Sequence, residues 1–329
     1  MMQRQERTTY KCTNDYLAQT LPRRELESMV GKSHLQVNPE DRQSLITWSF
    51  EALHFFRIDN SVASIATSYF DRFMCTFPQT SSRARYALSS KCEFQLAFAS
   101  CLIIAIKCHV GTELYAELNS KVICHDLYDQ NELNEMEKNV LKALRWRLNG
   151  PSVRDFVASF TELLLPTAKS SDKTVTLLKE YSKAQTDIST MDYLLALVPR
   201  SFVAFASIIS SMQAIDSKEF EPLDRLEFMK NISVVMGLQA NGVKVKRVRK
   251  RFGFVVREFI SSRSKCPVHA TGDYMSSKHN TIQRYQLDCV KASKRTREIM
   301  ASSSLSVSIS QNVHDDTQTN SQEAATQNK

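Results

Sequence analysis

The run Phe94-Gln95-Leu96-Ala97-Phe98-Ala99-Ser100-Cys101-Leu102-Ile103-Ile104-Ala105-Ile106-Lys107 is apolar around its whole circumference when wound as a helix. That is the pattern of a helix enclosed by others, so the run predicts a central rod with neighbours on every side. Leu96, Ile103 and Lys107 share one face of this rod, Leu96 and Lys107 standing about three turns apart. A cation on so apolar a helix needs a reason, and the simplest is that Lys107 complements the negative end of the helix.

The flanking segments read as the rod's neighbours. After Asn38-Pro39-Glu40, the residues Arg42, Leu45, Ile46, Ser49, Leu53 and Phe56 recur at three- and four-residue spacing, with Trp48 beside the stripe. Asp59 or Asn60 can cap the next helix, whose Val62, Ile65, Ala66, Tyr69, Phe70, Phe73, Met74 and Phe77 repeat the pattern up to Pro78. Beyond the rod, residues 131–148 carry Leu133, Met136, Val140, Leu141 and Leu144, and Gly150-Pro151 closes the block. Glu137 falls on that last apolar stripe, where its carboxylate must meet a partner. Arg42 and Asp71 stand on or beside the stripes of their own helices, and an Arg and an Asp at such sites read as an internal pair. For Lys107 and Glu137 the pattern leaves both an internal pair and an outside partner open.

A second helical block follows, with apolar periodicity over residues 153–165, 175–181, 201–212 and 223–236 and Pro199 near the start of its third long helix. No alternating strand pattern of useful length appears. The chain is therefore all-α in two tandem halves. The organisation is a flexible N-terminal segment at 1–39, a first domain at 40–150, a second at 151–260, and a largely disordered Ser/Thr/Gln-rich tail at 261–329.

Composition narrows the function. The chain has 329 residues, only 7 of them Gly and 8 Pro, far below the usual shares of about 7% and 5%. It contains neither a dinucleotide-binding nor a P-loop glycine pattern, which argues against a nucleotide-driven enzyme. Eight cysteines without a C-x-x-C pair read as reduced thiols. The N-terminus lacks the apolar stretch of a signal peptide, and the uncharged run 96–106 is too short to cross a bilayer, so no membrane partner is expected. No Ser/His/Asp or Cys/His set can be singled out as catalytic, and no cofactor is implied. Cys108-His109 and Cys124-His125 repeat soft and imidazole ligands, but their spacing fits no common zinc module, so no metal is assigned.

The net charge of +8 is concentrated in Lys244, Lys246, Arg247, Arg249, Lys250, Arg251 and Arg257. One segment holding nearly the whole excess points away from a nucleic-acid-binding domain. Lys244, Lys246, Arg247, Arg249, Lys250 and Arg251 read as a nuclear import signal or as the solvated face of a helix, with import favoured. The expected location is therefore nuclear, with a cytoplasmic share. Arg23-Arg24-Glu25-Leu26 contains an Arg-x-x-Leu of the kind used as a destruction signal, a pattern common enough by chance to decide little.

These residues resemble a known family. Arg42-Gln43-Ser44-Leu45-Ile46-Thr47-Trp48, then Ile58-Asp59-Asn60-Ser61-Val62 and Ala66-Thr67-Ser68-Tyr69-Phe70-Asp71-Arg72-Phe73, resemble the start of a cyclin box. The central rod and Met136-Glu137-Lys138-Asn139-Val140-Leu141-Lys142-Ala143-Leu144 look like the family's third and fifth helices. The five hallmark positions of the box are filled by Arg42, Asp71, Leu96, Lys107 and Glu137. Val198-Pro199-Arg200-Ser201-Phe202-Val203-Ala204 looks like the third helix of a second box.

The resemblance implies two five-helix boxes and a non-catalytic regulatory subunit of a cyclin-dependent Ser/Thr kinase that controls cell-cycle progression. It implies that Arg42 and Asp71 form a structural pair while Leu96, Lys107 and Glu137 bind the kinase. Leu45, Trp48 and Gln95 fit a substrate-docking groove, although Asp41 stands where such cyclins usually carry Met. His109-Val110 replaces an acidic pair often found beyond the Lys. Kinase substrates and ubiquitin-ligase machinery are further partners the family brings with it. The alternatives are a transcription-type cyclin and a DNA-binding transcription factor with paired cyclin-like boxes; the latter usually carries an N-terminal zinc ribbon, and residues 1–39 hold only Cys12.

Overall fold

The computed structural model describes residues 1–12, 15–17, 37–76, 81–111, 128–164 and 172–264, with side chains through 258. Phe77-Pro78, Arg23-Arg24-Glu25-Leu26, Cys124-His125 and the tail from 265 onward lie outside the described residues. The chain divides into one unit of Met1–Met212 with Ser217–His269 and another of Gln213–Asp216 with Ala270–Lys329.

Twelve helices and no strand occur among the described residues: α1 Met2–Arg7, α2 Pro39–Phe55, α3 Ser61–Met74, α4 Ser82–Ser89, α5 Lys91–His109, α6 Gln130–Ala143, α7 Val153–Thr161, α8 Asp172–Met191, α9 Tyr193–Ala196, α10 Arg200–Ala214, α11 Pro222–Met236 and α12 Val243–Ser264. Local chemistry explains their starts. Asn38 accepts from the Asp41 amide while the Asp41 carboxylate accepts from the Asn38 amide, a capping box with Pro39 in the first helical turn of α2. At α3 the carboxylate of Asp59, one residue before the cap, accepts from the Ser61 amide at 2.7 Å, and Asn60 supplies no side-chain cap.

α5 is the rod. Every residue from Leu96 to Ile106 is buried, and α3, α4 and α6 pack around it, α3 most extensively. Phe70 of α3 meets Phe94 and Phe98 edge-on at centroid separations of 4.8 and 5.3 Å, the favoured aromatic geometry. By length and composition the whole of α5 is apolar enough to cross a bilayer, longer than the uncharged run alone suggests, but it is a core helix covered by its neighbours.

Two expectations change. Leu144 and Leu148 extend the period of α6, yet the helix stops at Ala143 because Arg145 and Trp146 adopt left-handed backbone at φ 53° and 58°. The N-terminal segment is also more than irregular chain. Met2–Arg7 is a helix, Tyr16 is 1% exposed, and the Tyr10 ring lies so close to Gly150 that an added Cβ would stand 2.4 Å from it. Glu6 is buried at the start of α10, where its carboxylate accepts from the Ser201 amide at 3.0 Å and from the Ser201 hydroxyl. A carboxylate there satisfies unpaired amides and the positive end of the helix dipole. This tertiary partner gives so short a helix its place.

The two helical blocks touch directly. α8 packs on α2 and α3 as well as on α7 and α12. Arg154 at the start of α7 reaches back to Asp59 at 2.7 Å and also pairs with Asp187 of α8.

Candidate functional site

Two charged pairs organise the first block, one inside and one at its surface. Inside, Arg42 of α2 holds Asp71 of α3 bidentately, Nε to Oδ1 and Nη2 to Oδ2, both at 2.8 Å. Arg42 is wholly buried. Burial works against its charge, but the Asp71 carboxylate more than offsets this and holds the guanidinium above its ordinary value. The Tyr16 hydroxyl donates to Asp71 Oδ1 at 2.7 Å, and burial, reinforced by that carboxylate, raises the phenol well above normal. The remaining guanidinium nitrogen, Nη1, donates to the carbonyls of Thr190 and Met191 at 3.2 Å each, and the Tyr193 ring lies 5.8 Å from the guanidinium carbon. Arg42 thus caps the C-terminal end of α8, where carbonyls lack helical partners. The pair joins three elements.

At the surface, Lys107 in the last turn of α5 donates to both oxygens of Glu137 on α6, each at 2.9 Å. Its side chain is 32% exposed, against 12% for Glu137. The two residues therefore form one half-open ion pair over the α5–α6 seam. A carboxylate has about four acceptor positions, so Glu137 retains capacity for an outside donor. Leu96 does not join them. It is 3% exposed within the core, because α5 is enclosed at that depth.

Sequence patterning missed Trp146. Just past α6, it is 70% exposed and held by two consecutive left-handed residues, a conformation uncommon for side chains of this size. An exposed Trp on a constrained backbone beside the helix that carries Glu137 is well suited to anchor a partner. Leu-Arg-Trp-Arg-Leu contains no Gly or Pro that would have marked the turn.

The groove residues are split. Leu45 and Trp48 are half-buried against the core, whereas Gln95 is exposed. Asp41 is bridged by Lys91 of α5 at 2.7 Å in addition to serving the α2 cap. The basic run lies on α12, with Val245, Val248, Phe252 and Val256 buried beneath it. Lys244, Lys246, Arg247 and Lys250 are exposed and Arg249 is half-buried, while Arg251 is committed to Asp192 at 3.0 Å through Nε.

Comparison with known proteins agrees with this architecture. The family model described as the cyclin N-terminal domain matches residues 12–149, so the match includes much of the N-terminal arm. Human G1/S-specific cyclin-D3 is 26% identical over 181 residues, covering 55% of this chain and 56% of the relative. G1/S-specific cyclin-D2 of Xenopus laevis is 27% identical over 173 residues, covering 52% and 54%. The chain spans about half the length of the curated relatives it matches. Among solved structures, a viral cyclin from herpesvirus saimiri aligns with a TM-score of 0.51 and 18% identity, covering 67% of this chain and 88% of that one.

Proposed function

Since this chain is a member of the cyclin family, through the domain at residues 12–149, we propose that it is a non-catalytic regulatory subunit that binds and activates a cyclin-dependent Ser/Thr kinase in cell-cycle control. The observation that carries this reading is the Lys107–Glu137 pair. A cation and an anion are fixed to each other at 2.9 Å on the seam of two core helices while keeping an open side. Trp146 adds an apolar anchor at the end of one of those helices. Such a rigid face can select one position of a kinase's mobile regulatory helix and activation segment. Binding that position better than its alternatives shifts the kinase population toward the competent state. The phosphoryl transfer belongs to the kinase.

Affinity purification of the full chain from dividing cells tests the reading. A cyclin-dependent kinase should copurify, and its recombinant form should gain histone-kinase activity on adding the purified chain. Recovery of no such kinase, or recovery without gain of activity, would sink the proposal.

The nuclear address belongs to the same proposal. Four exposed basic residues of the 244–251 run present their charge from a folded helix. Exchanging Lys244, Lys246, Arg247 and Lys250 for Gln is expected to move a fluorescent fusion toward the cytoplasm without lowering kinase binding. An unchanged nuclear signal would reduce the segment to a solvated face.

A further inference from the structure

We propose that Cys12 and Cys75 form a reversible disulfide, which makes the junction between the N-terminal arm and α3 a redox modification site whose oxidant is a hydroperoxide. Their sulfurs lie 2.7 Å apart, and Cys12 Sγ also faces the Asp71 carbonyl at 3.7 Å. Cys75 is the residue that ends α3.

Cys12 is held there from both sides. Before it, Tyr10 is wedged against Gly150 and lies under the Arg72 guanidinium, 4.8 Å from ring centroid to guanidinium carbon. After it, Tyr16 is anchored on Asp71. Joining the two sulfurs thus requires only a local side-chain adjustment, with no relocation of the arm. A disulfide between groups already in register avoids the strain that misplaced pairs suffer.

A route for the oxidant is also present. Cys12 lines a cavity of about 240 Å³ shared with Tyr10, Leu197, Pro199 and Arg200. One sulfur attacks the O–O bond of the hydroperoxide; with hydrogen peroxide this yields a sulfenic acid and one water. The second sulfur then displaces the sulfenic oxygen, forming the S–S bond and releasing a second water. The two thiol protons leave in the two waters, and the peroxide is reduced by two electrons. Contact with the Cys75 thiol, together with burial, holds the Cys12 thiol well above its ordinary value. The thiolate is the reactive form, so attack on the peroxide is slow and the bond forms only under sustained oxidant.

The bond would close a loop between positions 63 apart in sequence. It would also reach beyond the first block, because the arm grips the second through Glu6 on Ser201 and Gln3 on the Met236 carbonyl.

Full-length protein treated with hydrogen peroxide, then denatured, alkylated and digested without reductant, tests the proposal. The peptides containing Cys12 and Cys75 should shift from nearly all separately alkylated to mostly one linked species. That species should be two hydrogens lighter than the sum of the two unalkylated peptides and separable by dithiothreitol. Cys12→Ser should yield no linkage to Cys75. If Cys12 and Cys75 stay alkylated while the exposed Cys92 and Cys108 become oxidised, or if either is linked to a different cysteine, the proposal is overturned.

Discussion

Replacing Lys107 and Glu137 together by alanine is expected to abolish kinase activation while leaving the helical content and melting behaviour close to those of the parent. The two halves of this expectation come from the same geometry. The pair sits over the α5–α6 seam with Lys107 about one-third exposed, and ion pairs open to water contribute about 0–1 kcal/mol to folding. The core beneath them, built on Phe94, Phe98, Leu133 and Met136, is untouched by the exchange. At an interface the same charges would be desolvated, and losing a central contact there costs about 2 kcal/mol or more, roughly a 30-fold loss of affinity for each. Single variants should be informative too, because Lys107→Ala leaves Glu137 an uncompensated anion at the proposed interface. Histone-kinase activity of the reconstituted complex, measured with circular dichroism on the same samples, decides the matter. Full activity would place the pair among structural ion pairs and remove it from the kinase-binding face.

Arg42→Ala should do the opposite, lowering stability sharply. Removing the guanidinium strands the Asp71 carboxylate, which is 6% exposed and keeps, among the described residues, the Tyr16 hydroxyl as its side-chain donor. Breaking a buried ion pair by deleting one partner costs about 3–5 kcal/mol. The carbonyls of Thr190 and Met191 lose the donor they share as well. Arg42→Lys should recover only part of the loss, since an ammonium cannot reproduce the two parallel bonds to Asp71 while also reaching the end of α8. Urea titration followed by tyrosine and tryptophan fluorescence measures this directly, and a midpoint equal to that of the parent would refute the buried-pair account.

What could be read from the sequence depended on how local the cause was. The central helix was legible because its apolar residues run round the whole circumference, and the starts of α2 and α3 were legible because Asn38-Pro39 and Asp59 act within a few residues of themselves. Arg42 could be matched to Asp71, but its bonds to the end of α8 depend on how two distant helices pack. The same holds for Lys107 and Glu137: each stood out on its own stripe, and only the packing of α5 on α6 brings them together. The burial of Leu96 was not legible, because sharing a helical face with Lys107 does not fix the depth at which each residue lies. The end of α6 was misplaced because the leucine period continues through Arg145 and Trp146, where the backbone turns without a glycine. α1 escaped notice because six residues are too few to show a period.

α1 also has a history that follows from its place in the chain. Glu6 waits for Ser201, made 195 positions later, and Gln3 for Met236, made 233 positions later. At synthesis rates of about 5–20 residues per second, the interval before Ser201 is made is roughly 10 to 40 s. During that time the six-residue helix lacks its anchor on α10, and isolated helices of this length do not persist in water. A segment made well before its partners is accordingly among the last to dock, and its arrival marks a chain in which α10 and α11 are already in place.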